Sequence, residues 1–218
     1  MKMLAVEFSS PQRSAAVWEK GASAAGKLVG CARGKEGHRA IGLVEEALAQ
    51  AGTRREEIGA LAVGLGPGSY TGIRGAIALA QGWQLGREVK LVGISSVECL
   101  AAQAQAEGRS GAFNIVVDAQ RNEFYLARYF LDEAGCLELA ALRLATFAEI
   151  VEIAGSGEVV AGPDLAGWFP CAVNMCPDAA MLGKLAAGRE DLIPGEKMEP
   201  IYLREAAFKK APAPREIR

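Results

Sequence analysis

The run Gly64-Leu65-Gly66-Pro67-Gly68-Ser69-Tyr70-Thr71-Gly72-Ile73-Arg74 is the segment best suited to chemistry. It lies between an apolar, strand-like stretch and a helical pattern. Backbone N–H groups in such a turn point out of a helix N-terminus and can hold an anion. Gly66, Gly68 and Ser69 are therefore candidate anion or nucleotide contacts. The same residues also suit an ordinary strand-to-helix connector, with glycines for positive φ and Ser69 or Thr71 as the N-cap. Two nucleotide motifs are excluded. The turn lacks the Gly-Lys-Ser/Thr ending of a P-loop. Its glycines are out of register with G-x-G-x-x-G, and no acidic residue stands where a ribose hydroxyl would need one.

Other candidates are isolated. Asp118, at the end of an apolar run, can hold a phosphate-linked cation or simply terminate a strand. His38, the sole histidine, heads a helical pattern; Glu36, Glu45 and Glu46 lie near it only along the chain. A general base needs partners in space, and no serine–histidine–acid or cysteine–histidine arrangement is legible, so no catalytic residue is assigned. Cys31, Cys99, Cys136, Cys171 and Cys176 are odd in number and contain no C-x-x-C pair, which points to reduced cytosolic thiols rather than a disulfide framework or zinc ribbon.

The elements that must position these residues come in two similar series. Strand-like runs begin at Met3, Ser14 and Lys27, separated by Ser9-Ser10-Pro11 and by the Gly21–Gly26 stretch. A helix is predicted from about Arg39 to Ala51, with Ile41, Val44 and Leu48 on one stripe and Gly52 as its stop. Next come a strand over Ala60–Leu65, a helix over Thr71–Leu85, a strand over Lys90–Ile94 and a helix from Ser96 to about Glu107. Three strands follow at Phe113–Val117, Glu123–Leu131 and Leu137–Leu144. A helix over Thr146–Ala154, a strand over Glu158–Ala161 and a short helix over Asp178–Ala187 complete the series. Three strands, helix, strand, helix, written twice, is the plan of two ribonuclease-H-like lobes, as in actin-like proteins. The expected division is 1–108 and 109–218, with the second lobe reduced. The stretch beyond Tyr202, with Pro212, Pro214 and basic residues, is expected to fray.

The segment Ala60–Gly72, followed by Ile73-Arg74-Gly75, resembles the A-V-G-x-G-P-G-S-[FY]-T-G-[IL]-R motif of the bacterial TsaB family of tRNA threonylcarbamoyladenosine biosynthesis subunits. Leu91-Val92-Gly93-Ile94-Ser95-Ser96-Val97-Glu98 is similar to that family's L-V-G-V-S-S-L-E-A, and His38 leads the same helix. Asp118-Ala119 with Glu123-Phe124-Tyr125 is similar to D-A-R-x-x-E-V-Y, and Tyr202-Leu203-Arg204 to a terminal Y-L-R. The likeness is dense over 60–98 and thin over 130–195. Two positions depart from it. Glu7-Phe8-Ser9 stands where the family has Asp-Thr-Ser, the aspartate being the residue that actin-like ATPases hold near phosphate and metal, and Gln120 stands for an arginine. The resemblance implies a non-catalytic dimerisation and scaffolding subunit for a TsaD-type enzyme, with a TsaE-type ATPase as third member and tRNA met only through the complex. The metal-binding H-x-x-x-H of the TsaD family falls on Ser96 and Leu100, neither a good ligand. No metal and no cofactor of its own are expected, although ATP or ADP at a subunit interface is compatible with the glycine turn. Alternatives kept open are an actin-like phosphotransferase, which requires the strand aspartate, and a metallopeptidase, which requires the histidines.

The helix beginning at Thr71 is apolar almost all round and must be covered on two sides. Gly75, Ala78 and Gly82 recur on one side as a small-residue groove, and glycine within a helix costs roughly 0.8–1 kcal/mol, which calls for a packing reason. The groove can take the chain's own preceding helix or a helix of another chain. His38, Ile41, Gly75, Ala78, Leu79 and Gly82 are the interface candidates, for a homodimer when alone or for the TsaD-type partner. A net charge of −2 gives no global basic field for nucleic acid. Glu7 arrives too early for a secretory leader and the helix from Thr71 is too short for a bilayer, so a cytoplasmic protein without membrane attachment is expected.

Overall fold

In the central strand β1 (Lys2–Glu7), Leu4 and Val6 face one hydrophobic layer while Met3 and Ala5 face another. A strand covered on both faces sits at the middle of a sheet. The computed structural model describes residues 1–19, 26–35 and 40–203. The first sheet has the order β3-β2-β1-β4-β5, from β1, β2 (Gln12–Glu19), β3 (Lys27–Lys35), β4 (Ile58–Gly64) and β5 (Lys90–Ile94). β1–β2 and β2–β3 pair antiparallel; β1–β4 and β4–β5 pair parallel.

Helices α1 (Ala40–Gln50) and α2 (Tyr70–Gly86) cover one face of this sheet, through Leu43, Val44, Ala47 and Leu48 and through Ile73, Ala76, Ile77 and Ala80. α1 stops as its sequence indicates. Gly52, at φ +56°, lets its own N–H reach Ala49 and the Thr53 N–H reach Leu48.

The second sheet repeats the order as β10-β9-β6-β7-β8, from β6 (Gly111–Asp118), β7 (Glu123–Asp132), β8 (Gly135–Thr146), β9 (Val159–Gly162) and β10 (Val173–Asn174). One face carries Val116, Phe124 and Leu126 against Ile150 of α4 (Phe147–Gly155). The other carries Phe113, Ile115, Tyr125 and Tyr129 against Val97, Leu100, Ala101 and Ala104 of α3 (Ser96–Ala106). The α/β plan thus occurs once in each of two lobes, and the second is reduced: between β9 and β10, where the first lobe has α2, it holds only the 3-10 turn Leu165–Gly167. β10 was not legible in the sequence, being two residues inside a proline-broken stretch.

The division at 108/109 separates the two sheets but not their helices. α3, the last helix of the first series, packs on the second sheet. α5 (Ala179–Ala187), the last of the second series, packs on β1, β2, β4 and β5 of the first. The two helices also touch each other between the sheets. The face under α5 is lined by Ala5, Ala16, Ala60 and Ala62, and a Cβ at Gly183 would fall 2.2 Å from Trp18 Cδ1. Small side chains on both surfaces let the helix lie close against the strands. Residues after α5 return to the first sheet as well, with Ile193 N–H donating to Leu91 O and Ile201 N–H to Leu65 O.

Candidate functional site

The glycine turn packs against the end of β1. A Cβ on Gly68 would lie 2.1 Å from Ser9 O, and one on Gly72 would lie 1.9 Å from Phe8 O. Gly66 and Gly68 have φ of +86° and +147°, and Gly68 combines that backbone with the close approach, so no other residue fits there. Ser69 caps α2: its Oγ accepts the Gly72 N–H at 3.3 Å. Most donors of the turn are already used. Leu65 N–H bonds Ile94 O, Gly66 N–H bonds Ser96 Oγ, and Ser69 N–H bonds Ser9 O at 2.7 Å.

Beneath the turn lies Glu7, fully buried. Its Oε1 accepts the Ser9 N–H at 2.7 Å and its Oε2 accepts the Ser96 hydroxyl at 2.8 Å. A Cβ at Gly64 would sit 2.0 Å from Glu7 Oε2, so the glycine makes room for the longer side chain. Burial raises the Glu7 carboxyl above its ordinary value and the Asp178 charge adds to this; the bonds from Ser9 and Ser96 act in the opposite sense. Ser96 thus links β1, the turn and α3. Leu100, one helical turn on, is buried in the core between α3 and the second sheet. Asp178 caps α5 by accepting the Ala180 N–H, and pairs with Arg33 Nε. Ser14 Oγ takes the next donor, the Ala179 N–H.

Asp118 belongs to a separate hairpin. Its carboxylate accepts the backbone N–H and the side-chain Nε2 of Gln120, and Gln120, Arg121 and Asn122 all have positive φ. Its oxygens thus serve their own turn, whereas Gly66, Gly68 and Ser69 form one unit with Ser9. Among the described residues no group of three or more His, Cys, Asp or Glu side chains is placed to hold a metal ion. His38 and the basic stretch after Leu203 lie outside the described residues.

The groove is a surface feature. Gly75 and Gly82 have nothing within 4 Å of a built Cβ, so α1 flanks the groove without filling it. It encloses 720 Å³ and is lined by Ala40, Ile41 and Val44 on one side and Gly75, Ala78, Leu79, Gly82 and Trp83 on the other, with Arg55, Glu56 and Arg87 completing it. Ile41 is 61% exposed and Leu85 91%. A contiguous apolar surface of this kind marks an interaction site. The charged residues of the groove were not legible in the sequence, because they precede or follow the helical patterns.

Two five-stranded sheets of the same order, exchanging their last helices around a glycine turn, define an actin-like α/β protein. The solved structure of YeaZ from Pseudomonas aeruginosa shares this fold, with a TM-score of 0.78 at 23% identity over 93% of this chain and 99% of that one. A family model described as "TsaD: tRNA N6-adenosine threonylcarbamoyltransferase" matches residues 35–181. The tRNA threonylcarbamoyladenosine biosynthesis protein TsaB of Escherichia coli is 31% identical, over 97% of this chain and 99% of that protein. TsaB of Haemophilus influenzae is 32% identical over 41% of this chain and 38% of its own length. The chain belongs to the TsaB family, within the wider group that the TsaD model describes.

Proposed function

We propose that this chain is the non-catalytic dimerisation and scaffolding subunit of a tRNA adenosine threonylcarbamoyltransferase complex, serving a TsaD-type catalytic subunit. The observation that carries the reading is the open groove between α1 and α2 on a member of this family. Its apolar walls and glycine floor accept a helix at close range. Alone, the chain pairs with a second copy through the same surface, since such a face is rarely left in water.

The Glu7 carboxylate is turned into the interior and bonded by Ser9 and Ser96, which supports a scaffold rather than a phosphotransferase. Leu100 packs in the core, which supports the same reading against a metallopeptidase. Because most turn donors are engaged within the chain, ATP or ADP belongs at an interface with another subunit, beside Gly66, Gly68 and Ser69; Asp118, committed to its own hairpin, stands apart from that contact. A TsaE-type ATPase completes the assembly, and tRNA is engaged by the complex in the cytoplasm. No described helix is long and apolar enough to cross a membrane.

The test is Ala78→Trp. Ala78 is exposed and lines an empty groove, so the variant keeps its fold and melting temperature while losing self-association and co-purification with the TsaD-type subunit. Normal partner binding by the folded variant overturns the assignment.

A further inference from the structure

The groove between α1 and α2 has apolar walls and carries the same charge at its two ends. Arg74 stands just before Gly75, with its guanidinium 4.4 Å from the centroid of the Tyr70 ring, and Arg87 follows Gly86 where α2 stops. The interval spans about 20 Å of helix. Both side chains are exposed, and neither forms an ion pair among the described residues. Nearby carboxylates do not cancel them. Glu45 is paired with Arg55, which leaves Glu56 as the remaining carboxylate lining the groove. Glu46 accepts from Gln50, whose amide oxygen takes the Cys31 N–H, so it belongs to the β3 side of α1. Glu88 lines a separate hollow with Gln84 and Ile193.

We propose that Arg74 and Arg87 select the occupant of the groove: an apolar helix of a different chain that bears carboxylates near both of its ends, in preference to a second copy of this chain. The choice of this groove as the docking surface rests on the function proposed above; the charge selection does not. Two identical chains join about a two-fold axis. The α2 wall runs from Gly75 to Gly86, so its midpoint is also the midpoint between Arg74 and Arg87. If α2 meets its copy antiparallel about that point, Arg74 of each chain falls opposite Arg87 of the other. If the two helices run parallel, Arg74 meets Arg74 and Arg87 meets Arg87. Either way like charges face each other, and that juxtaposition disfavours the symmetric pair. A helix with acidic ends gains two charge pairs over the same apolar contact. The chain therefore self-associates weakly through this face and gives up its copy for the acidic-ended partner.

The experiment uses a charge-reversed chain, Arg74→Glu with Arg87→Glu, as the acidic-ended partner. Wild type, the reversed chain and their mixture are compared by sedimentation across a salt series. At low salt the mixed pair should be roughly threefold to tenfold tighter than either homotypic pair. The advantage should shrink above 0.1 M salt, where the screening length falls below about 10 Å. Arg74→Gln with Arg87→Gln should self-associate more tightly than wild type, and the TsaD-type subunit should bind wild type more tightly than either variant. Thermal melts should match wild type; a role of the arginines in the fold itself would instead lower the melting temperature and weaken every pairing together, which overturns the inference. So does a mixed pair no tighter than the homotypic ones, or self-association that Arg→Gln at both positions leaves unchanged. If the mixed pair is favoured but the TsaD-type subunit binds no form of the chain, the charge selection stands and the functional reading falls. If that subunit binds wild type and the reversed chain equally, the functional reading stands and the selection is overturned.

Discussion

Removing the Ser96 hydroxyl tests whether β1, the glycine turn and α3 are held as one unit. Ser96 is 1% exposed; its hydroxyl donates to Glu7 Oε2 at 2.8 Å and accepts the Gly66 N–H at 3.2 Å. Ser96→Ala leaves a buried carboxylate oxygen and a buried amide without partners, each costing about 1–3 kcal/mol, so a total of about 2–6 kcal/mol is expected. For a chain of this size that lowers the melting temperature by roughly 4–24 °C. Glu7→Gln keeps the acceptor for Ser9 and removes the charge, so the Ser96→Ala, Glu7→Gln pair should be less damaged than the sum of the single variants, by about 0.5–3 kcal/mol.

The pH dependence has a definite sign. Burial raises the Glu7 pKa in the folded chain above 4.5, so its contribution to stability is fully present below that value and is lost as pH rises through the folded pKa. Wild type should therefore lose stability relative to Glu7→Gln as pH climbs from about 4.5, and the difference should level off above the folded pKa. Calorimetric or denaturant melts of the four proteins across pH decide it. A Ser96→Ala cost below about 0.5 kcal/mol, additive with Glu7→Gln, would refute the coupled unit.

Two glycine substitutions should move in opposite directions. Gly68→Ala meets Ser9 O at 2.1 Å with φ +147°, and should cost about 2–4 kcal/mol in a denaturant melt. Gly82→Ala meets nothing within 4 Å on a helix face, and should stabilise the isolated chain by about 0.8–1 kcal/mol; a loss of stability would mean that the groove is filled. Asp178→Ala removes the cap of α5 together with the Arg33 pair, and should destabilise by about 1–3 kcal/mol in a thermal melt, with Asp178→Asn recovering part of it through the cap alone.

The strand and helix series was legible because apolar periodicity, glycine stops and the Ser69 cap are local signals. What escaped the sequence depends on partners distant in the chain. The glycines at 68 and 72 read equally well as an anion cradle or a connector until Phe8 and Ser9 are seen pressing against them. Ser96 read only as a position where a related metal ligand is missing, yet its hydroxyl is the partner of a carboxylate 89 residues earlier. The helix from Tyr70 was recognisably in need of two covers, but whether α1 supplied the second is a matter of how both helices lie on the sheet. The division of the chain at 108/109 followed the repeat, whereas packing exchanges the final helix of each half.

That exchange bears on how the protein is made. A ribosome releasing this chain delivers all five strands of the first sheet once Ile94 has emerged, but the helix that shields Met3, Ala5, Trp18, Ala62 and Val92 is encoded only at Ala179–Ala187. At ordinary translation speeds the interval of roughly 85 residues lasts about 4–17 s. Throughout it the nascent chain holds an apolar sheet face without its own cover, a natural docking surface for chaperones. Completion of the first half therefore waits on synthesis of the second, and an expression fragment ending near residue 108 lacks the helix that shields its own sheet.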